Sequence, residues 1–178
     1  RLSGLVDRVL DMSRLDRHKL ELPVEELELP DFLLRLADEF EARAQASKTP
    51  FKVDVPASLP KILANPGALE EALRNLLDNA FKYGKGAEVR LVAKTSRQSV
   101  DISVADRGPG ISHADQKRLF ERFYRAPETA REIKGTGIGL FLCRELVRNM
   151  GGDVRLTSRP KKGARFTMSL PRISDRHR

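Results

Sequence analysis

Residues 65–84, NPGALEEALRNLLDNAFKYG, constrain the fold more than any other stretch, because both ends of a helix are written into them. Asn65 is a favourable N-cap, Pro66 fits the first helical position, and Gly84 suits the exit. Between them Leu69, Ala72, Leu73, Leu76, Leu77 and Ala80 recur at the three-four spacing of a buried face. Beside that stripe Asn75, Asn79 and Lys82 stand four and three residues apart and form a second row. Asparagine is a poor helix former, and a solvated face is more cheaply built from Glu, Lys or Gln. Two readings of the row are open: a polar edge, or a ligand site. In the second, carboxamide oxygens hold Mg2+ as neutral hard ligands, while the Lys82 ammonium neutralises nucleotide phosphates.

The rest of the chain sorts into helices and hairpins. Leu2, Leu5, Val9 and Met12 fall at heptad-like intervals, widened by Val6 and Leu10, which predicts the end of a packed helix over residues 1–19. Arg1 opens the chain in mid-pattern and without Met, so a longer parent is expected. Pro23 and Pro30 bracket a linker and an edge strand, with a domain boundary near Leu22. Leu33, Leu36, Ala37, Phe40 and Ala44 predict a helix from Asp31 to Ser47. Phe51, Val53 and Val55 then alternate as a strand, and Ile62 and Leu63 make a short one at best. Ala87–Thr95 and Val100–Ala105 predict a hairpin. Ser112 and Asp115 signal a short helix carrying Phe120, Phe123 and Tyr124, read as core aromatics or as the anchor of a lid. Ala126–Lys134 lacks periodicity and reads as a loop. A helix opening at Gly135 is lined by Leu142, Cys143, Leu146, Val147 and Met150, and Gly151-Gly152 closes it. Asp153–Ser158 and Ala164–Leu170 make a last hairpin. Strand pairs adjacent in sequence, with helices interspersed, predict an α+β two-layer sandwich rather than a doubly wound parallel sheet.

Two glycine clusters carry further chemistry. Asp106-x-Gly108-x-Gly110 ends a strand. It is either a tight turn or a site where a carboxylate accepts from an exocyclic amine while glycine backbone approaches a flat ring. Gly135-x-Gly137-x-Gly139 precedes a helix and is either a hinge or a phosphate cradle. Its spacing is neither the dinucleotide fingerprint nor a P-loop.

Composition narrows the partners. With 40% hydrophobic residues and no apolar run near the roughly 18 residues of a membrane span, a soluble fragment without membrane contact is expected. The single Cys143 supplies neither a disulfide framework nor a cysteine zinc site, which suits a reducing cytoplasm. The net charge of +8 gathers toward the end, at Arg155, Arg159, Lys161, Lys162 and Arg165 among others. No aromatic-laced basic module accompanies it, so an acidic partner or solubility is preferred over nucleic acid.

Taken in order, NLLDNAFKYG, DRGPGI, LFERFYR and GTGIGL resemble the N, G1, F and G2 boxes of the sensor histidine kinases of two-component systems, over roughly residues 20–171. The resemblance implies the Bergerat fold, a mixed sheet with helices on one face preceded by an N-terminal helix, with ATP and Mg2+ between helices and lid. It assigns Mg2+ to Asn79, with Asn75 near it, and the nucleotide's side to Lys82 and Tyr83. Asp106 would read the adenine amine, Gly108 and Gly110 would wall the ring, and Gly135, Gly137 and Gly139 would form the phosphate loop. Ile111, Phe120, Arg125, Lys134, Thr136, Ile138 and Leu140 complete the implied ATP contacts. Residues 1–19 would end a dimerisation and phosphotransfer hairpin, 20–173 form the catalytic domain, and 174–178 a basic tail. A response regulator and a homodimeric parent, possibly anchored in the inner membrane, follow as implied partners and setting.

Two departures qualify the likeness. None of His18, His113 and His177 stands in a His-Glu motif, so the chain should bind ATP but lack its own acceptor. Ala164 follows Gly163 where the wider superfamily often has a hydroxyl residue. Related ATPases place a general-base Glu where Asn75 stands, and an amide cannot take a proton from water. An ATPase switch or a protein-serine kinase of the same fold are the alternative functions.

Overall fold

A computed structural model describes residues 23–127, 130, 133 and 135–173. The expected helix over 1–19, the tail 174–178, and the candidate Lys134 lie outside the described residues. A short strand β1 (Glu25–Leu27) pairs antiparallel with β3 (Ile62–Ala64). The helix α1 (Leu29–Ser47) begins two residues before the expected Asp31, because Pro30 sits in its first turn rather than ahead of it. Strands β2 (Phe51–Asp54), β4 (Val89–Thr95), β5 (Ser99–Asp106), β6 (Asp153–Ser158) and β7 (Ala164–Pro171) form one sheet in the order β2-β4-β5-β7-β6. Only β2–β4 is parallel; the rest are antiparallel, so the sheet is mixed as expected.

Helices α2 (Pro66–Tyr83) and α4 (Gly139–Asn149) pack together over β5 and β6, and α1 lies over β2 beside α2. The predicted stripe on α2 is buried from Leu69 to Ala80, and the Asn65 carboxamide caps it by accepting from Ala68 N–H at 2.9 Å. Inward-facing Leu91, Ile102, Val104, Val154 and Met168 meet it from the sheet. At roughly 25 cal/mol per Å2 of apolar surface, this shared layer is the dominant source of stability. Among the described residues no helix is long and apolar enough to cross a membrane.

Three local expectations change. Gly84 is right-handed (φ −67°), and the left-handed exit comes at Lys85 and Gly86 (φ 52° and 80°). Val53 shares the helix side of the sheet with its partner Leu91 but is 37% exposed, because β2 is an edge strand with β4 on one side only. The helix from Ser112, α3 (His113–Gln116), ends before the aromatic cluster, and Leu119–Tyr124 runs through turns. Phe123 is therefore 48% exposed and left-handed (φ 63°), its N–H donating to the Gly137 carbonyl at 2.9 Å instead of continuing a helix.

Candidate functional site

Period-two alternation explains how a carboxylate reaches the helix face of the sheet. Ile102 and Val104 point into the core, so Asp106 at the end of β5 shares their side. Its Oδ1 accepts from Gly108 N–H at 2.8 Å. Burial raises the Asp106 carboxyl above its ordinary value, against the pull of backbone donors at Gly108 and Ala164.

Across from it lies a cleft of about 320 Å3, with the outer row of α2 on one side and the glycine loop on the other. Asn75, Asn79, Lys82 and Tyr83 all line it, as do Asp106 and Gly110. The Asn75 Nδ2 donates to the Glu71 carbonyl at 3.0 Å, which leaves its oxygen turned toward the loop. A Cβ at Gly139 would stand 2.8 Å from that oxygen, so any larger residue would fill the space between helix and loop. Lys82 is pushed below the usual ammonium range, by desolvation first and by the Arg125 guanidinium second. Burial raises the Tyr83 phenol, and Arg125 opposes that rise.

The first turn of α4 completes the cradle. Ile138 at its N-cap supplies no side-chain acceptor, unlike Asn65 on α2, so the opening N–H groups are left for another partner beside the cleft. Gly135, Thr136, Gly137, Gly139 and Leu140 line the opening, with Ile111 and Arg125. Arg125 donates to the carbonyls of Ala130 (3.2 Å) and Ile133.

Three of the implied contacts stand behind the wall. Ile138 is 1% exposed, its side chain in the core beneath α4. Phe120 packs edge-on to Phe166, ring centres 6.3 Å apart, and Arg144 covers it. Gly108 closes the Asp106 turn, where a Cβ would lie 2.9 Å from the Gly84 Cα. Sequence reasoning missed Asp78, Asp115 and Phe166, which also line the cleft, as does Tyr124, read from the sequence as a core aromatic or a lid anchor. Asp78 sits one residue from Asn79 but off the Asn75–Asn79–Lys82 row, and it pairs with Arg43 of α1. Asp115 carried a sequence signal only as a helix start; the structure adds the Tyr124 hydroxyl donating to it at 2.6 Å.

A mixed five-stranded sheet beneath helices on one face, with such a cleft at its end, defines the Bergerat class of ATPase folds. The chain belongs to the family of histidine kinase-, DNA gyrase B- and HSP90-like ATPases, matched over residues 64–174. It is 34% identical over 173 residues to the adaptive-response sensory kinase SasA of Synechococcus sp. (strain JA-2-3B'a(2-13)), covering 96% of this chain and 46% of that protein. With the sensor histidine kinase YcbM of Bacillus subtilis (strain 168) identity is 31%, over 97% of this chain and 56% of the relative. The chain thus spans about half the length of these relatives. Among solved structures, full-length ShkA in complex with AMPPNP superposes with a TM-score of 0.82 at 32% identity, over 97% of this chain and 36% of ShkA.

Proposed function

We propose that this chain is the ATP-binding catalytic domain of a sensor histidine kinase. It binds ATP in the cleft and presents the γ-phosphoryl group to a histidine on a helical hairpin of the same parent protein, for relay to a response regulator aspartate. The parent acts as a homodimer with this domain in the cytoplasm, and residues 20–173 form the catalytic unit. The observation that carries the reading is the opposition of two kinds of group across one cleft, with Asn75, Asn79 and Lys82 facing the glycine loop while Asp106 stands at the strand end.

The residues fit such a ligand chemically. The Asp106 carboxylate accepts from the adenine amine. The open N-terminus of α4 suits phosphate oxygens, because its N–H groups and helix dipole favour negative charge. Lys82 and Arg125 add positive charge against the triphosphate, and desolvation strengthens both. Asn79 and Asn75 would hold Mg2+ through their carboxamide oxygens, where the ion neutralises and orients phosphate oxygens. Lacking a general base at Asn75, the site works by orientation and charge neutralisation, and it awaits a nucleophile from elsewhere.

Titration with a fluorescent ATP analogue, with and without Mg2+, tests the binding half. Asn79→Ala is expected to remove Mg2+-dependent affinity with the thermal midpoint unchanged; undiminished affinity would overturn the metal role. Transfer from labelled ATP to a separately supplied histidine-bearing hairpin tests the catalytic half. Rapid ATP turnover by the isolated chain would contradict it and favour the ATPase-switch reading.

A further inference from the structure

The face of the sheet turned away from the helices carries a second concavity of about 380 Å3, at the end where the β5 terminus meets the β6–β7 turn. Strand register builds its floor: Arg90, Ala105, Arg165 and Thr157 form one row across four strands, which Lys52 continues onto β2 beyond the concavity. Arg107, Arg159 and Lys162 close its end, so five cationic side chains line it against two carboxylates, Glu88 and Asp106.

Neither carboxylate balances that charge. Asp106 sits in the alternate register, on the helix side of β5. Glu88 is already shared among Lys52 (2.7 Å), Arg90 (2.5 Å) and Arg107 (3.3 Å). Arg90 first, and Lys52 after it, hold its carboxyl down to about 2. Arg159, Lys162 and Arg165 have no carboxylate partner among the described residues. Like charges fixed side by side on a strand row and a tight turn repel, and a bound anion relieves that repulsion.

The turn is also fastened to the loop that follows Asp106. Lys161 N–H donates to the Pro109 carbonyl at 2.6 Å, and Ile111 N–H to the Ser158 hydroxyl at 2.9 Å. That hydroxyl in turn donates to the Gly163 carbonyl at 2.7 Å. A Cβ on Gly163 would run into the Asp106 carbonyl oxygen, and one on Gly110 into that of Arg159, so the two loops touch backbone to backbone. Asp106 and Ala164 line both concavities.

We propose that this groove is a second binding site, for a small anion carrying two or more phosphate groups, and that its occupancy is felt in the nucleotide cleft through the fastened turn. Four of its five cations are arginines, whose planar forks grip phosphate oxygens in pairs. The concavity has the size of a small-molecule site. The binding claim stands independently; the coupling rests on the nucleotide reading above.

The test titrates sodium tripolyphosphate into the whole chain with the nucleotide cleft already saturated by ADP, followed by backbone amide shifts and calorimetry. Shifts are expected at Arg107, Lys162 and Gly163. Arg159→Glu combined with Arg165→Glu should weaken tripolyphosphate by about tenfold or more, with thermal midpoint and ADP affinity unchanged. Shifts confined to α2 and residues 135–140 would overturn the site. Equal binding of citrate at matched ionic strength would overturn the phosphate class, and tighter binding of a short polyglutamate peptide would make the groove a protein-docking face instead. For the coupling, saturating tripolyphosphate should change ADP affinity by about threefold or more in the native chain and not in the double variant. No change in the native chain overturns the coupling. If ADP itself fails to bind, the proposed function falls, and the amide shifts still decide the groove.

Discussion

The two walls of the cleft are held by different means. The α2 wall is the back of a buried helix: from Leu69 to Ala80 its apolar stripe is sealed against sheet and α4, and Asn75, Asn79 and Lys82 are fixed with it. The opposite wall, from Ser112 to Gly137, includes the four-residue helix α3 and is held by isolated bonds, among them the backbone bond from Phe123 N–H to the Gly137 carbonyl. The Tyr124 hydroxyl donates to Asp115, Gln116 Nε2 to the Ile111 and Ser158 carbonyls, and Arg125 to backbone across its own loop. One wall thus supplies fixed geometry, while the other can open at the cost of a few part-buried bonds, as an entry path for a nucleotide requires.

Mutations should therefore separate stability from binding according to the wall they touch. Leu76→Ala, at a fully buried site on α2, should cost about 2–5 kcal/mol, read as a lowered denaturation midpoint. A loss below ~1 kcal/mol would show that the α2 wall is less rigidly packed than its burial implies. Asn65→Ala removes the cap on the same helix and should cost about 1 kcal/mol, with Asn65→Gly recovering much of it. On the loop wall, Tyr124→Phe should leave the denaturation midpoint nearly unchanged, yet speed nucleotide release in stopped-flow displacement. An unchanged release rate would mean that the bond does not help retain the nucleotide.

The smallest effect belongs to a pair outside both walls. Arg144 of α4 donates to Asp153 at 2.9 Å, and chiefly through this contact the Asp153 carboxyl falls from its ordinary 3.8 to about 2. Because the folded value is the lower one, the stabilisation is present above the ordinary value and is lost as pH falls toward about 2. Asp153→Asn should lose well under ~1 kcal/mol near neutrality, since solvent screens the half-exposed pair. That deficit should vanish between those two pH values in guanidinium melts; a deficit constant with pH would mean the pairing contributes nothing.

What could be read from sequence follows the same division. The α2 helix, both antiparallel hairpins and the Asn75–Asn79–Lys82 row were legible, because period and caps are local and a four-three spacing fixes one helix face. Asp106 was legible as a strand-end carboxylate, although only the burial of Ile102 and Val104 says which face it takes. Phe123 misled: an aromatic beside Phe120 and Tyr124 looks like core, but its backbone is strapped to Gly137 and its ring is left outside. Ile138 misled in the opposite sense, since a residue between two loop glycines gives no local sign that its side chain turns into the core.

The sequence by itself determined the local elements, the order of the boxes, and which side chains share a helix face or a strand side, since all of these follow from backbone periodicity over a few residues. Tertiary structure alone decided that β2 lies parallel to β4, that Asp78 meets Arg43 across 35 positions, and that Arg90, Arg107, Arg159 and Arg165 gather at one end of the sheet. The physical reason is distance along the chain. These contacts depend on strand order and register, which are set by how the whole apolar layer closes and not by any segment's own pattern.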